Sequence, residues 1–350
     1  MNMTTWQARV SIILFWVLVI GFILYVPAFL KRFDTRKSIT IFTWPSVIDS
    51  KIVAQFEKET GIRVYLNYFE TNQELLAKMN RTGGKDYDLI VSSDHTIQLL
   101  IRKKFLKKLD KKKLPFMNDL VPQVQDLYCD PNFDYSIPFI WAIYGIGINP
   151  LLMHVPEKIS WSLVFEKGHG PISMTNDARE AIMMAAFYLF GTIDVLKEST
   201  VEQEIKELLL RQKEWVEVYT DLRAEELLAS KSVPLAVITS PDLWRIKKEY
   251  PHLEFLVPQE GTFALIDMFA IPKESQKEDL VYQFLNYLYQ PAIIEHHMNT
   301  FGFCSPISTV SRQLPKPFCP TKEEFKRFEF FRNVVPEEQL NDIWIAVMAE

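Results

Sequence analysis

An α/β fold arranged around a parallel sheet is what the sequence predicts, on three observations. Short strand-like runs alternate with amphipathic helical ones at close spacing from residue 38 onward, the signature of βαβ units. The 350 residues are 48% hydrophobic and 24% charged, a globular composition long enough for two domains. Polar and aromatic residues (Trp44, Ser93, His95) stand where predicted strands end, and sheets of this kind bind ligands beyond the carboxyl ends of their strands.

The first stretch is different. Residues 10–26 are predominantly apolar and carry no charge, with Arg9 before them and Pro27, Ala28, Phe29 and Leu30 after. With those flanks the run reaches the roughly 20 residues that span a bilayer. Val26-Pro27-Ala28 also offers small residues at the two positions a signal peptidase reads. Residues 1–37 are therefore a signal peptide, cleaved after Ala28, or a retained membrane anchor. Lys31, Arg32, Arg36 and Lys37 follow the segment and by the positive-inside rule favour a cytoplasmic chain; the motifs downstream outweigh them.

From there the elements follow in order. Residues 39–44 form a strand ending at Trp44-Pro45, and 49–60 a helix with Ile52, Val53 and Phe56 on one face and Gly61 to close it. A strand at 62–68, a helix at 72–79 and a buried strand at 88–91 come next, the last running into Ser92-Ser93-Asp94-His95. Eight of the twelve residues from Arg102 to Lys113 are basic, interrupted by Phe105, Leu106, Leu109 and Asp110. That pattern is a solvated helix face rather than a polyanion site, and a net charge of −5 gives no field favouring nucleic acid.

The second half carries the densest signal. Thr175-Asn176-Asp177-Ala178-Arg179-Glu180 lies between a strand at 171–174 and a helix at 181–190, placing both acids in the first helical turn and, at i, i+3, on one face. Free backbone N–H groups and the positive end of the helix dipole favour ionised carboxylates there. Two such charges at the mouth of a cleft suit a cationic ligand, although Asp-x-x-Glu is also a capping signature. Beyond it come a charged helix at 202–217, a core strand at 234–238, a helix at 242–250, a strand at 253–257, and amphipathic helices at 278–288 and 291–299. Three cysteines, Cys129, Cys304 and Cys319, make neither a disulfide framework nor a zinc pattern; Cys304 and Cys319 can bridge in an oxidising compartment.

Six segments taken together carry a resemblance. Phe56-Glu-Lys-Glu-Thr-Gly-Ile-Arg-Val64, Tyr87-Asp-Leu-Ile-Val91, Asp134-Tyr-Ser-Ile-Pro-Phe-Ile-Trp141, Asn176-Asp-Ala-Arg-Glu180, Ile266-Asp-Met-Phe-Ala-Ile-Pro272 and Gly302-Phe303 occur in the order and spacing of the spermidine/putrescine-binding proteins of polyamine ABC importers. The chain resembles that family over nearly all of its length from Ser38. The resemblance implies a two-lobed periplasmic-binding-protein fold, type II-like, with lobe 1 from 38–141 plus about 268–308 and lobe 2 from 142–265 plus about 309–350. Crossings near Trp141 and Asp267 would be the hinge. It further implies a monomer on the extracytoplasmic side of the cytoplasmic membrane, delivering a polyamine to an ABC permease, with no nucleic acid, cofactor or metal.

A polyamine is a hydrocarbon bearing ammonium groups, so its site must supply carboxylates at the ends and apolar or aromatic walls between, because each buried cation needs a partner to offset desolvation. By the resemblance, Asp177, Glu180 and Asp267 take the ammonium groups, Trp44 and Phe303 supply aromatic faces, and Ser93 and His95 line the strand end. The match is incomplete: Pro45 and Val47 stand where the family tends to offer a hydroxyl and an aromatic, and Ile238 and Leu265 where it usually has tryptophans. An altered ligand, or a membrane-tethered adaptor that kept the lobes, is therefore the alternative. Catalysis has little support, since no motif pairs Cys129, Cys304, His169, His296 or His297, and adjacent histidines point about 100° apart on a helix. A ferric-ion binder is disfavoured because the chain lacks a Tyr-Tyr pair.

Overall fold

The computed structural model describes residues 37–220, 223–310 and 314–350, with five positions before residue 23. Apart from those five positions, the expected signal or anchor segment, with Ala28, lies outside the described residues.

Among the described residues, ten strands form one curled sheet. β1 (Ser38–Thr43), β2 (Arg63–Tyr68) and β3 (Leu89–Ser93) run parallel, in the order β2-β1-β3. β5 (Ile172–Met174), β6 (Val216–Tyr219) and β7 (Leu235–Thr239) make a second parallel group, β7-β5-β6. Two long antiparallel strands join the groups, β4 (Ser136–Ile148) beside β7 and β9 (Phe263–Ala270) beside β3. β8 (Glu254–Leu256) and β10 (Glu329–Phe330) add to β4 and β9. The parallel sheet read from the sequence is thus two parallel units joined by an antiparallel centre.

Local chemistry accounts for the helices that frame β1 to β3. Asp49 caps α1 (Ser50–Thr60) through its side chain, and Gly61, in the left-handed conformation, ends it. Thr71 and Gly83 do the same for α2 (Asn72–Thr82). α3 (Asp94–Arg102) starts directly from β3 with Ser93 at its N-cap position. The basic stretch beyond it is not a helix: Lys104 turns the chain with φ 58°, Leu106 bridges to Pro272, and only Lys111–Lys113 form a single 3₁₀ turn. Burying Leu106 and Leu109 outweighs helix propensity there. The lysines face acids, Lys107 on Glu278, Lys111 on Asp134 at 2.9 Å and Lys113 on Asp279 at 2.7 Å.

In the second unit, α4 (Ser162–Phe165) precedes β5, and α5 (Ala178–Phe190) follows it with Asp177 as N-cap rather than inside the first turn. α6 (Glu202–Lys213) ends earlier than the sequence suggests. Val216, Val218 and Tyr219 prefer the pleated edge of β5, where Ile172 N–H already donates to the Trp215 carbonyl at 2.9 Å. α7 (Ala224–Ala229) and α8 (Ser240–Lys247) flank β7, α9 (Glu278–Leu288) and α10 (Pro291–Phe301) follow β9, and α11 (Lys322–Phe325) and α12 (Glu337–Ala349) close the chain. A disulfide joins Cys304 to Cys319.

The buried side chains fall into two clusters, and β4 and β9 run through both. Ile137 to Ile143 and Ile266 to Ala270 belong to the first, while Tyr144 to Ile148 and Phe263 belong to the second. β7 contributes alternately, Ala236 and Ile238 to the first and Leu235 and Val237 to the second, as the two faces of one strand must. Glycine lets neighbours approach β4: a Cβ on Gly145 would lie 2.5 Å from the Phe255 ring, and one on Gly147 2.6 Å from Leu228.

Candidate functional site

The carboxyl end of β3 and the middle of β9 meet in register, Ser93 opposite Asp267. β9 is otherwise apolar, FALI before the acid and MFA after it, so the fold carries one carboxylate into the centre of the sheet. The Asp267 side chain takes hydrogen bonds from Ser93 and from Trp44, just past the end of β1. Burial, and after it the charge of Asp94, push its carboxyl up to about 7, against the two hydrogen bonds. Trp44 is half-buried, its ring 4.3 Å from that of Phe69. One sequence-predicted group (Trp44, Ser93, Asp267) therefore comes together around a half-buried acid that no described Lys or Arg partners.

His95 stands beside this group with its ring engaged. Asn72 Nδ2 lies 3.3 Å from His95 Nε2, and His95 Nδ1 lies 3.5 Å from Asp94 Oδ1. Asn72 also ties Ser92 and Ser93, at 3.3 and 3.5 Å. Phe303 follows Gly302 at the end of α10, next to Cys304, whose backbone bridges Trp141 of β4. Its ring lies 6.0 Å from Phe301, a contact that does not by itself bring it to either acid group.

The second group is built on α5. Asp177 is extended, with φ −80° and ψ 124°, and its Oδ1 accepts from Glu180 N–H at 3.0 Å, so the acid caps the helix. Glu180 Oε2 accepts from the hydroxyls of Tyr144 and Thr175, each at 2.6 Å. Arg179 is structural: it is buried, pairs with Glu337, and donates to the Arg332 carbonyl at 3.2 Å, pinning the C-terminal segment to α5.

β4 connects the two groups. Ile140 pairs with Asp267, and Tyr144 reaches Glu180. Four residues of strand rise about 13 Å, a span covered by a chain of roughly ten bonds of ~1.5 Å zigzagging at tetrahedral angles. Sequence reasoning overlooked Asp94, Tyr144 and Thr175. Asp94 lies between two residues singled out at the same strand end, which is a positional signal; Tyr144, in a uniformly buried strand, gives none.

Cysteine and histidine are placed as follows. Cys129 is buried with Sγ 3.5 Å from Met268 Sδ, and burial pushes its thiol up, opposite to what a nucleophile needs. Cys304 is in the disulfide. His297 accepts from Asp49 N–H at 3.2 Å, and His296 pairs with the Asp49 carboxylate at 2.6 Å, so both serve the start of α1. Among the described residues, no group of three or more His, Cys, Asp or Glu side chains could hold a metal ion.

The model of the family described as bacterial extracellular solute-binding protein matches residues 51–326. The chain belongs to that family. This solute-binding protein is 26% identical over 288 residues to the spermidine/putrescine-binding periplasmic protein of Escherichia coli, covering 81% of each chain. It is 28% identical over 281 residues to the putrescine-binding periplasmic protein PotF of the same organism, covering 75% of each. Among solved structures, it is similar to the spermidine/putrescine ABC transporter substrate-binding protein PotD of Streptococcus pneumoniae with a TM-score of 0.79, 21% identity and coverage of 89% and 99%. Iron-bound HitA of Pseudomonas aeruginosa, at 13% identity and a TM-score of 0.69, shares the fold, so architecture alone does not select the ligand.

Proposed function

We propose that this solute-binding protein is the extracytoplasmic substrate-binding component of an ABC importer for polyamines of the spermidine and putrescine type, a monomeric ligand clamp that performs no chemistry. The observation that carries the reading is Asp267: a carboxylate at the centre of an apolar strand, given only neutral donors by Ser93 and Trp44. A buried acid without a cation is costly, and an incoming ammonium removes that cost.

Asp177 and Glu180, on the far side of β4, would take the other end of the amine, with Trp44 along the methylenes. The two parallel strand groups, β2-β1-β3 and β7-β5-β6, support assignment of two lobes, 38–141 with about 268–308 and 142–265 with about 309–350. β4 and β9 would bend where they pass from one group to the other. Closure about these strands would present a surface to a permease whose ATPase subunits are other chains. The N-terminal segment would hold the protein at the membrane if it is uncleaved. The names of the curated relatives support both the ligand class and the location.

One observation favours a second reading, an altered ligand or an adaptor role. Ile238 is buried, Leu265 is only half-buried, and neither supplies the indole face that the family usually has at those positions. Tryptophan fluorescence of the full chain separates the two, because Trp44 touches the central acid. Putrescine, cadaverine and spermidine should each change the emission saturably while butane-1,4-diol does not. Silence to every amine at millimolar concentration would leave the adaptor.

A further inference from the structure

Asp94 is the most conspicuous acid that the described contacts leave unused. It is the first residue of α3 and 3% exposed, and its Oδ1 accepts from His95 N–H at 2.8 Å. Its Oδ2 is buried and has no close hydrogen-bond partner. The hydroxyl of Tyr128 faces Asp94 as a side-chain hydrogen-bond partner and makes no other hydrogen bond among the described residues. Burying a carboxylate with less than its full set of donors costs about 1–3 kcal/mol, so an acid with only the Tyr128 hydroxyl near Oδ2 requires an account. The helix start and the His95 amide favour negative charge at Asp94, but they leave Oδ2 unsatisfied.

Asp267 is the neighbour that matters. It lies one register step away, opposite Ser93, and its side chain remains partly open where that of Asp94 is closed off. We propose that Asp94 and Asp267 form a two-carboxylate subsite for a single primary ammonium, with the Tyr128 hydroxyl oxygen as the third acceptor, and that this pair fixes which amine end is bound deepest. An alkylammonium has three N–H donors and no acceptor. Asp94 Oδ2, the Asp267 carboxylate and Tyr128 Oη are three acceptors, and two negative charges around one cation offset the desolvation of all three ions better than one would. A secondary ammonium, with two donors, or a quaternary one, with none, leaves an acceptor unpaired, so the subsite selects terminal primary amines. Metal occupancy is disfavoured because two carboxylates find no third acidic, His or Cys ligand among the described residues.

The empty subsite has its own electrostatics. The groups facing the acids are Ser93 and His95 at the start of α3, Trp44 after β1, the Cys129 thiol, which burial keeps neutral, and Tyr128, which also feels Arg179 of α5. Burial, then Asp94, hold the Asp267 carboxyl up near 7, so the empty pair keeps a proton on Asp267 at mildly acid pH, and an ammonium must displace it.

This inference rests on the amine-binding reading, and the test keeps the two apart. Full-length wild type, Asp94→Asn and Asp94→Ser are titrated calorimetrically with putrescine, N,N,N-trimethylbutylammonium and butane-1,4-diol between pH 5.5 and 8.5, after each variant is shown to melt cooperatively. The expected result is putrescine binding by wild type and a loss of roughly 30-fold or more in both variants. The pH below which Asp94→Asn loses affinity should also move downward, because Asp267 no longer has an anionic neighbour. Putrescine binding that is equal in wild type and both variants overturns the subsite and leaves amine binding intact. Trimethylbutylammonium binding as tightly as putrescine overturns the three-acceptor account. A wild type silent to every amine overturns both readings.

Discussion

Asp267 concentrates the physical problem of the molecule in one side chain. Its carboxyl is raised to about 7 in the fold, chiefly by burial and then by Asp94, against an unfolded value of 3.8. A group whose pKa is raised on folding contributes stability that is fully present below its unfolded pKa and lost as pH rises through its folded one. The unliganded protein should therefore lose a few kcal/mol between about pH 4 and pH 7 from this group. Asp267→Asn removes the ionisation, so in chemical denaturation at pH 8 the variant should be more stable than wild type by up to that amount, and at pH 4 the two should coincide. The same variant should bind no diamine. A variant less stable than wild type at pH 8 would mean that the carboxylate is a structural anchor. His95, by contrast, looked from its position like a cleft residue, yet its ring is engaged by Asn72 and Asp94. A sequence cannot show that, because the three residues converge from α2 and the start of α3.

At the scale of elements, the proposed site asks one residue at the start of α5 to be both cap and ligand. One oxygen of Asp177 accepts from Glu180 N–H, and one of Glu180 accepts from two hydroxyls. The two contributions separate by substitution. Asparagine caps as well as aspartate, whereas alanine costs about 1 kcal/mol of helix stability. Asp177→Asn should melt like wild type and bind putrescine at least 10-fold more weakly, since charge-assisted hydrogen bonds contribute roughly 1.5–3 kcal/mol. Asp177→Ala should lose both. Wild-type affinity in Asp177→Asn, measured by calorimetry, would reduce this acid to a cap.

Elements with local causes were legible: Gly61 ends α1 and α9 spans the residues expected, because an apolar stripe and a terminating glycine are enough. Elements decided by distant partners were not. The lysine-rich run leaves the helix when Leu106 finds Pro272, and β6 forms because β5 has an edge to pair.

For the whole molecule, the decisive feature is that β4 and β9 are shared by both core clusters: β9 carries Asp267, and Tyr144 of β4 holds Glu180 at the start of α5. The order of the six family-like segments pointed to that arrangement, but the antiparallel centre between the two parallel units was not visible in alternating strands and helices. Half of the site was legible for the same reason: Asp177, Glu180 and Asp267 lie in recognisable motifs, whereas Asp94 and Tyr144 acquire their neighbours only through register and strand crossing.

The central claim is that carboxylates from these two groups converge on one amine, and a crystal structure of the full chain grown with spermidine, whose terminal nitrogens are separated by about the required span, tests it most directly. One terminal ammonium should lie within hydrogen-bonding distance of Asp267 and the other at the Asp177–Glu180 turn, with Trp44 against the methylenes. An amine bound at only one of these groups, or elsewhere on the protein, would contradict it.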